Sequence, residues 1–223
     1  MNEAAALGLT AAGVRISVGT RELVRDLSVQ FAAGEVVAIL GRNGSGKTLT
    51  LHTLAGLRVP NGGEVLLDGT PIPELSRRAV ALRLGLLPQD LEDAFVTSAL
   101  ATVLIGRHPH LSLWQWESAA DEQLAHEALA AVDMAAFAHR RTDTLSGGEQ
   151  RRVAVAALLA QQPATFLLDE PTNHLDPHHQ LAVLGLFGVF ATLLVFAFRD
   201  EEEIQISAEQ IAGFERRHRT EVA

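Results

Sequence analysis

GEVVAILGRNGSGKTLTLHTLAGL, residues 34–57, decides the fold. GEVVAIL (34–40) is a short apolar run behind a turn glycine and reads as a buried strand. LTLHTLAGL (49–57) has helical character and closes on a glycine. Between them lies GRNGSGKT, Gly41-Arg42-Asn43-Gly44-Ser45-Gly46-Lys47-Thr48. Strand, glycine-rich loop and helix, in that order, form the context in which this pattern cradles phosphate. The glycines let successive backbone N–H groups turn inward toward phosphate oxygens. A helix starting near Lys47 adds the positive end of its dipole. Lys47 has the reach for the β- and γ-phosphates, and the Thr48 hydroxyl is placed to ligate Mg²⁺.

A second acidic feature fits the first. ATFLLDEP (164–171) reads as a buried strand ending in two carboxylates. Asp169, at a strand end facing the phosphate loop, is the candidate to hold Mg²⁺, through water. Side chains alternate along a strand, so Glu170 is expected to point elsewhere and to polarise an attacking water as general base.

The remaining chain reads as an α/β core over 1–89 and 145–200, interrupted by a helical insertion over 90–144. PNGGEVLLDG (60–69) is turn, strand and turn, and RLGLLPQD (83–90) is a strand entering a proline loop. Residues 91–144 are mostly helical, with DEQLAHEALAAVDMAAFAHR (121–140) an Ala-rich helix. LSGGEQRRVAVAALLA (145–160) is a second helix, opened by a glycine pair. Ser146 and Glu149 form a capping box, so Ser146 starts that helix. Its free N–H groups make a second anion site, separate from the loop at 41–48. Two anion sites for one kind of ligand imply two copies of the chain meeting face to face.

Composition bounds the partners. The 223 residues are 48% hydrophobic and 20% charged, which suits a globular chain with a substantial core. A net charge of −9 argues against a chain-wide grip on nucleic acid. With no cysteine there is neither disulfide nor thiolate chemistry, which fits a reducing compartment. MNEAAALGLTAAG has no basic segment followed by a long apolar run, so no signal peptide is expected.

GRNGSGKT, LLPQD, LSGGEQRR and LLDEPTNHLD, in this order with the helical insertion before LSGGEQRR, resemble the nucleotide-binding subunit of ABC transporters over roughly residues 10–200. The resemblance implies a P-loop core of ABC type with an N-terminal antiparallel β part and a helical subdomain. It implies ATP and Mg²⁺ as cofactors and ATP hydrolysis coupled to transport. Each ATP would lie between the phosphate loop of one copy (Gly41–Thr48) and Ser146, Gly147, Gly148 and Glu149 of the other. Gln89 would stand where the family's glutamine senses Mg²⁺ and the γ-phosphate, and couples them to the membrane partner. Asp176 would lie at the dimer interface. The implied partners are permease subunits, a second copy and, indirectly, a substrate-binding protein, with no nucleic acid. The implied location is the cytoplasmic face of the membrane, as a peripheral subunit.

GRHPHL (106–111) adds a likeness to importers of cobalamin, heme and iron–siderophores. His108 and His110 flank Pro109, with no acid or cysteine at ligand spacing, and read as non-metal residues. His178 and His179 read as surface residues. Rival readings are a two-cassette, ribosome-associated ATPase, opposed by the single acidic cassette, and a regulatory subunit that binds nucleotide without hydrolysing it.

Two departures from the family stand out. Val18 occupies the place of the aromatic that stacks on adenine, and the chain has no tyrosine. Beyond the acid strand, QLAVLGLFGVFATLLVFAFRDEEE (180–203) is apolar from Leu181 to Phe198 except Thr192, and then turns acidic. It is short for a membrane span, and the core needs a helix and a strand there. Arg199 stands in place of the family's switch histidine, with Asp200 after it. The tail 201–223 does not match the family, although Ser207 and Gln210 would cap a short helix ending in Arg216–Arg219. Two accounts stay open. One is a rewritten tail in which Arg199 serves the γ-phosphate. The other is a truncated or frameshifted copy with weak hydrolysis.

Overall fold

The computed structural model describes residues 8–31, 35–90, 97–112, 114–171 and 193–198. Asp176, His178, His179, Arg199, Asp200, the apolar stretch 181–192 and the tail 201–223 lie outside these.

Two sheets share the work. The first is antiparallel, in the order β2-β1-β4-β5. β1 (Leu9–Val18) and β2 (Arg21–Phe31) form a hairpin, and β4 (Gly62–Leu67) and β5 (Thr70–Pro71) complete the sheet. β1 buries Leu9, Ala11, Val14 and Ile16. The three-residue step from Ala11 to Val14 breaks a strict alternation. A register shift falls there, and Gly13 adopts φ 61 inside it, so the bulge returns Val14 to the core face.

The second sheet is parallel, in the order β3-β8-β7-β6. β3 is Val36–Leu40, β6 Leu84–Leu87, β7 Thr165–Asp169 and β8 Leu193–Phe198. All five residues of β7 are buried, as expected of a strand covered on both faces. Its alternation divides two cores. Phe166 and Leu168 pack with the helical part, while Leu167 packs with Val195, Ala197 and the antiparallel sheet. β3 is one edge of this sheet among the described residues, and Val36 and Leu40 there are about half exposed.

Among the described residues, every α-helix but the first starts at a side-chain cap. α1 is Lys47–Leu54 and buries Leu51 and Leu54. α2 (Arg77–Ala81) and α3 (Ala99–Ile105) begin after Ser76 and Ser98, whose side chains accept a backbone N–H three residues on. α4 (Ala119–Ala131) and α5 (Gly147–Gln161) each begin at a full capping box, Ser118 with Asp121 and Ser146 with Glu149. The helix expected over 121–140 therefore starts two residues earlier and stops at Ala131. Asp133 at φ 57 turns the chain there, and only a 3-10 turn, Ala135–Phe137, follows. Aspartate tolerates the left-handed region, and Ala-rich periodicity alone carries no stop signal.

α3, α4 and α5 pack around Val103, Ala125, Leu129 and Val155, each fully buried. Arg107 pins the group: its Nε donates to Asp121 at 2.9 Å, and Nη1 donates to the Ala160 carbonyl at 2.7 Å and to Gln162 Oε1 at 3.0 Å. The last six residues of the apolar stretch, Leu193–Phe198, are a strand between β3 and β7. No helix among the described residues is long and apolar enough to cross a membrane.

Candidate functional site

Parallel pairing gathers the candidate residues. Leu40 pairs with Phe198, Ala197 with Asp169, and Leu168 with Leu87. The carboxyl ends of β3, β8, β7 and β6 therefore share one edge of the sheet. The loop Gly41–Thr48 leaves β3, Asp169 and Glu170 close β7, and Pro88-Gln89 leave β6. A crevice at the carboxyl ends of parallel strands is where α/β sheets bind ligands.

The loop turns on its glycines. Gly44 has φ 75 and Gly46 φ 101, and a Cβ on Gly46 would press the Leu23 side chain at 3.2 Å. Ser45 N donates to the Arg42 carbonyl at 3.1 Å, which closes the turn. Lys47 folds back over it, and its Nζ donates to the Gly41 carbonyl at 2.7 Å and the Arg42 carbonyl at 3.4 Å. Arg42, Asn43, Gly44 and Ser45 are exposed, so the loop presents its backbone outward.

Asp169 is fully buried, and neither carboxylate oxygen has a hydrogen-bond partner of normal geometry. Burial pushes its carboxyl pKa up, and the approach of the Thr48 hydroxyl opposes this. Two orphaned carboxylate oxygens beside a hydroxyl are a donor set suited to a hard cation such as Mg²⁺. The described residues give the Gln89 side chain no hydrogen bond to Thr48 or Asp169. Its backbone carbonyl accepts from Arg151 Nη1 at 3.3 Å.

Glu170 corrects the sequence reading. Strand alternation does not separate it from Asp169, because β7 ends at Asp169 and Glu170 has φ 44. That left-handed turn re-aims its side chain, at about 1–2 kcal/mol for a residue with a Cβ. Two backbone hydrogen bonds hold the turn: Glu170 N donates to the Ala197 carbonyl at 3.0 Å, and the Glu170 carbonyl accepts from Arg151 Nη2 at 2.9 Å.

The second anion site is built differently. Ser146 N donates to Glu149 Oε2 at 2.7 Å, and Ser146 Oγ accepts from Glu149 N at 3.3 Å. Hydrogen bonds from the Ser146 N–H first, and then from its side chain, hold the Glu149 carboxyl below the usual range. Glu149 thus serves as a cap, and Ser146 and Gly147 are exposed at the start of α5. No hydrogen bond among the described residues joins Ser146–Glu149 to the loop Gly41–Thr48.

Sequence reasoning passed over three features. Arg151 is nearly fully buried on the stripe of α5 that also carries Val155 and Leu158. A cation on an apolar stripe was the available signal. Arg107 and Asp121 form the buried pair described above. Trp114 and Trp116 stand 96% and 86% exposed near His108, too far out to belong to either core. The fold also brings Glu117 to 3.2 Å from His108 Nε2, a neighbour that local spacing did not reveal, while His110 Nε2 meets the Gln161 carbonyl at 2.8 Å. No group of three metal-ligating side chains forms among the described residues.

The sequence profile of the family described as ABC transporter matches residues 24–173. The hemin import ATP-binding protein HmuV of Gloeobacter violaceus is 39% identical over 190 residues, covering 82% of this chain and 68% of that protein. The petrobactin import ATP-binding protein FpuD of Bacillus anthracis is 38% identical over 172 residues, covering 77% of this chain and 63% of that protein. The chain thus spans about two thirds of the length of these curated relatives. A solved structure described as the dimeric structure of MJ0796, a bacterial ABC transporter cassette, superposes with a TM-score of 0.75 at 25% identity and covers 90% of each chain.

Proposed function

The chain belongs to the ABC transporter family, and from that membership we propose that it is the subunit that binds and hydrolyses ATP to drive import across a membrane. Similarity to a hemin and a petrobactin importer subunit supports heme or an iron–siderophore as the class of cargo. It works at the cytoplasmic face as a peripheral subunit, paired with a second copy and with permease subunits, and is fed by a substrate-binding protein. Nucleic acid is not a partner.

The observation that carries this reading is Asp169: a fully buried carboxylate with both oxygens orphaned, at the same sheet edge as the phosphate loop. The loop amides and Lys47 hold the β- and γ-phosphates, and the dipole of α1 adds to their grip. Thr48 and Asp169 would hold Mg²⁺, Asp169 through water, with Gln89 completing the set. Bound there, Mg²⁺ would neutralise charge on the β- and γ-phosphate oxygens. Glu170 accepts a proton from the attacking water. The exposed start of α5, with Ser146, Gly147 and Gly148, caps the γ-phosphate held by the second copy, so closure of the pair completes the site.

The test is Mg²⁺-dependent phosphate release by the purified chain, alone and with a co-expressed permease. Lys47→Ala should weaken ATP binding about tenfold to hundredfold, the loss of a charge-assisted contact. Glu170→Gln should keep ATP binding and lose at least about a hundredfold in turnover. Turnover unchanged in Glu170→Gln would defeat the reading.

A further inference from the structure

Arg151 sits on the buried face of α5, 2% exposed, and every acceptor of its guanidinium is a backbone carbonyl outside that helix. Nη2 donates to the Asp169 and Glu170 carbonyls, both at 2.9 Å. Nε donates to the Pro171 carbonyl at 3.3 Å. Nη1 donates to the carbonyls of Pro88 and Gln89. One side chain therefore grips the end of β7, the loop after β6 and the helix that Ser146 starts. Burial pushes its pKa down to about 10, against the pull of Asp169, Asp90 and Glu170, so it keeps its charge at neutral pH.

We propose that Arg151 is a positioning residue for the ATPase site, a proposal that rests on the reading above. It holds the left-handed turn that aims Glu170, and it ties that turn and the Gln89 backbone to α5. The three then shift as one body. Movement of Gln89 and Glu170 on a γ-phosphate in one site displaces the start of α5, which in the face-to-face pair meets the nucleotide of the other copy. The planar fork matters: five N–H groups reach carbonyls on two separate segments, whereas an ammonium is a single point and a thioether donates nothing.

The full chain is compared with Arg151→Met and Arg151→Lys, each checked for folding by circular dichroism and melting. ATP affinity, kcat and KM are measured, together with hydrogen exchange at 41–48 and 146–150 with and without Mg²⁺-ATP. The expected result is an ATP Kd within about threefold of wild type and kcat down about tenfold to hundredfold in both variants, the scale of a misplaced catalytic group. ATP should protect 41–48 in all three proteins but alter exchange at 146–150 only in the wild type. Should Arg151→Met fail to fold, Arg151→Lys carries the same readouts. A folded variant whose kcat stays within about twofold of wild type, or whose 146–150 amides still respond to ATP, overturns the clamp. Parallel losses of Kd, kcat and melting temperature also overturn it, because a merely structural residue gives that pattern. A wild type that hydrolyses no more ATP than Lys47→Ala would instead defeat the ATPase reading. The exchange at 146–150 then decides the clamp alone, and no response there in the wild type overturns it.

Discussion

Arg107 and Asp121 form a buried ion pair at 2.9 Å that joins the turn after α3 to the first turn of α4. Asp121 also accepts from the backbone N–H and hydroxyl of Ser118, so one carboxylate serves both the helix cap and the arginine. The Ser118 hydrogen bonds, with Arg107 after them, lower the Asp121 pKa from 3.8 to about 2.

The pair makes stability depend on acid. A carboxyl whose folded pKa is depressed stabilises the fold above its unfolded value, and that contribution fades as pH falls toward the folded value. The window here runs from about pH 4 down to about pH 2. Asp121→Asn should melt below wild type at pH 7, and the gap should narrow as pH drops through that window. Melting temperatures of both proteins at pH 7, 4 and 3 check this; a gap constant across the three would contradict the assignment.

Gly106, just before Arg107, lets α3 end hard against α5. A Cβ on it would lie 2.2 Å from the Ala157 carbonyl oxygen, a backbone atom that cannot swing aside. Gly106→Ala should destabilise the fold by about 1–3 kcal/mol through overpacking. Urea unfolding should show this as a lower midpoint at an unchanged m-value.

Asp169 spends stability on function. Two orphaned oxygens on a buried carboxylate oppose folding, and removing the charge relieves part of that strain. Asp169→Asn should raise stability without nucleotide by about 1 kcal/mol, a rise of a few degrees in melting temperature. The same variant should lose the gain in ATP affinity that Mg²⁺ confers over EDTA. Calorimetric titration with and without Mg²⁺ separates the two effects.

The family resemblance puts Val18 at the adenine, which predicts its effect on base selectivity. It ends β1 beside Gly19, is 52% exposed, and would offer aliphatic carbon in place of the family's stacking aromatic. ATP and GTP should bind with comparable constants. Val18→Tyr should tighten ATP by about 1 kcal/mol, or about fivefold, from stacking. A strong ATP preference in the wild-type chain would contradict this.

Much of the site was legible because its chemistry is local. A phosphate loop needs its glycines, lysine and threonine at fixed steps between a strand and a helix, and a capping box needs Ser146 and Glu149 three apart. Both can be read from neighbours along the chain. The acid pair was legible as residues but not as geometry: whether Glu170 continued β7 or left it depended on Ala197 and Arg151, 27 and 19 residues away.

The sequence by itself determined the family, the α/β class and the starts of α1 and α5, because each rests on short-range spacing and backbone freedom. Only the tertiary structure decided how four parallel strands bring Leu40, Ala197, Asp169 and Leu87 to one edge, since strand order and register are set by packing between distant segments. It alone turned Arg151 from a charge in a helical run into a clamp on five carbonyls. A buried cation must find its acceptors wherever the fold places them, and here they come from segments that the sequence leaves far apart.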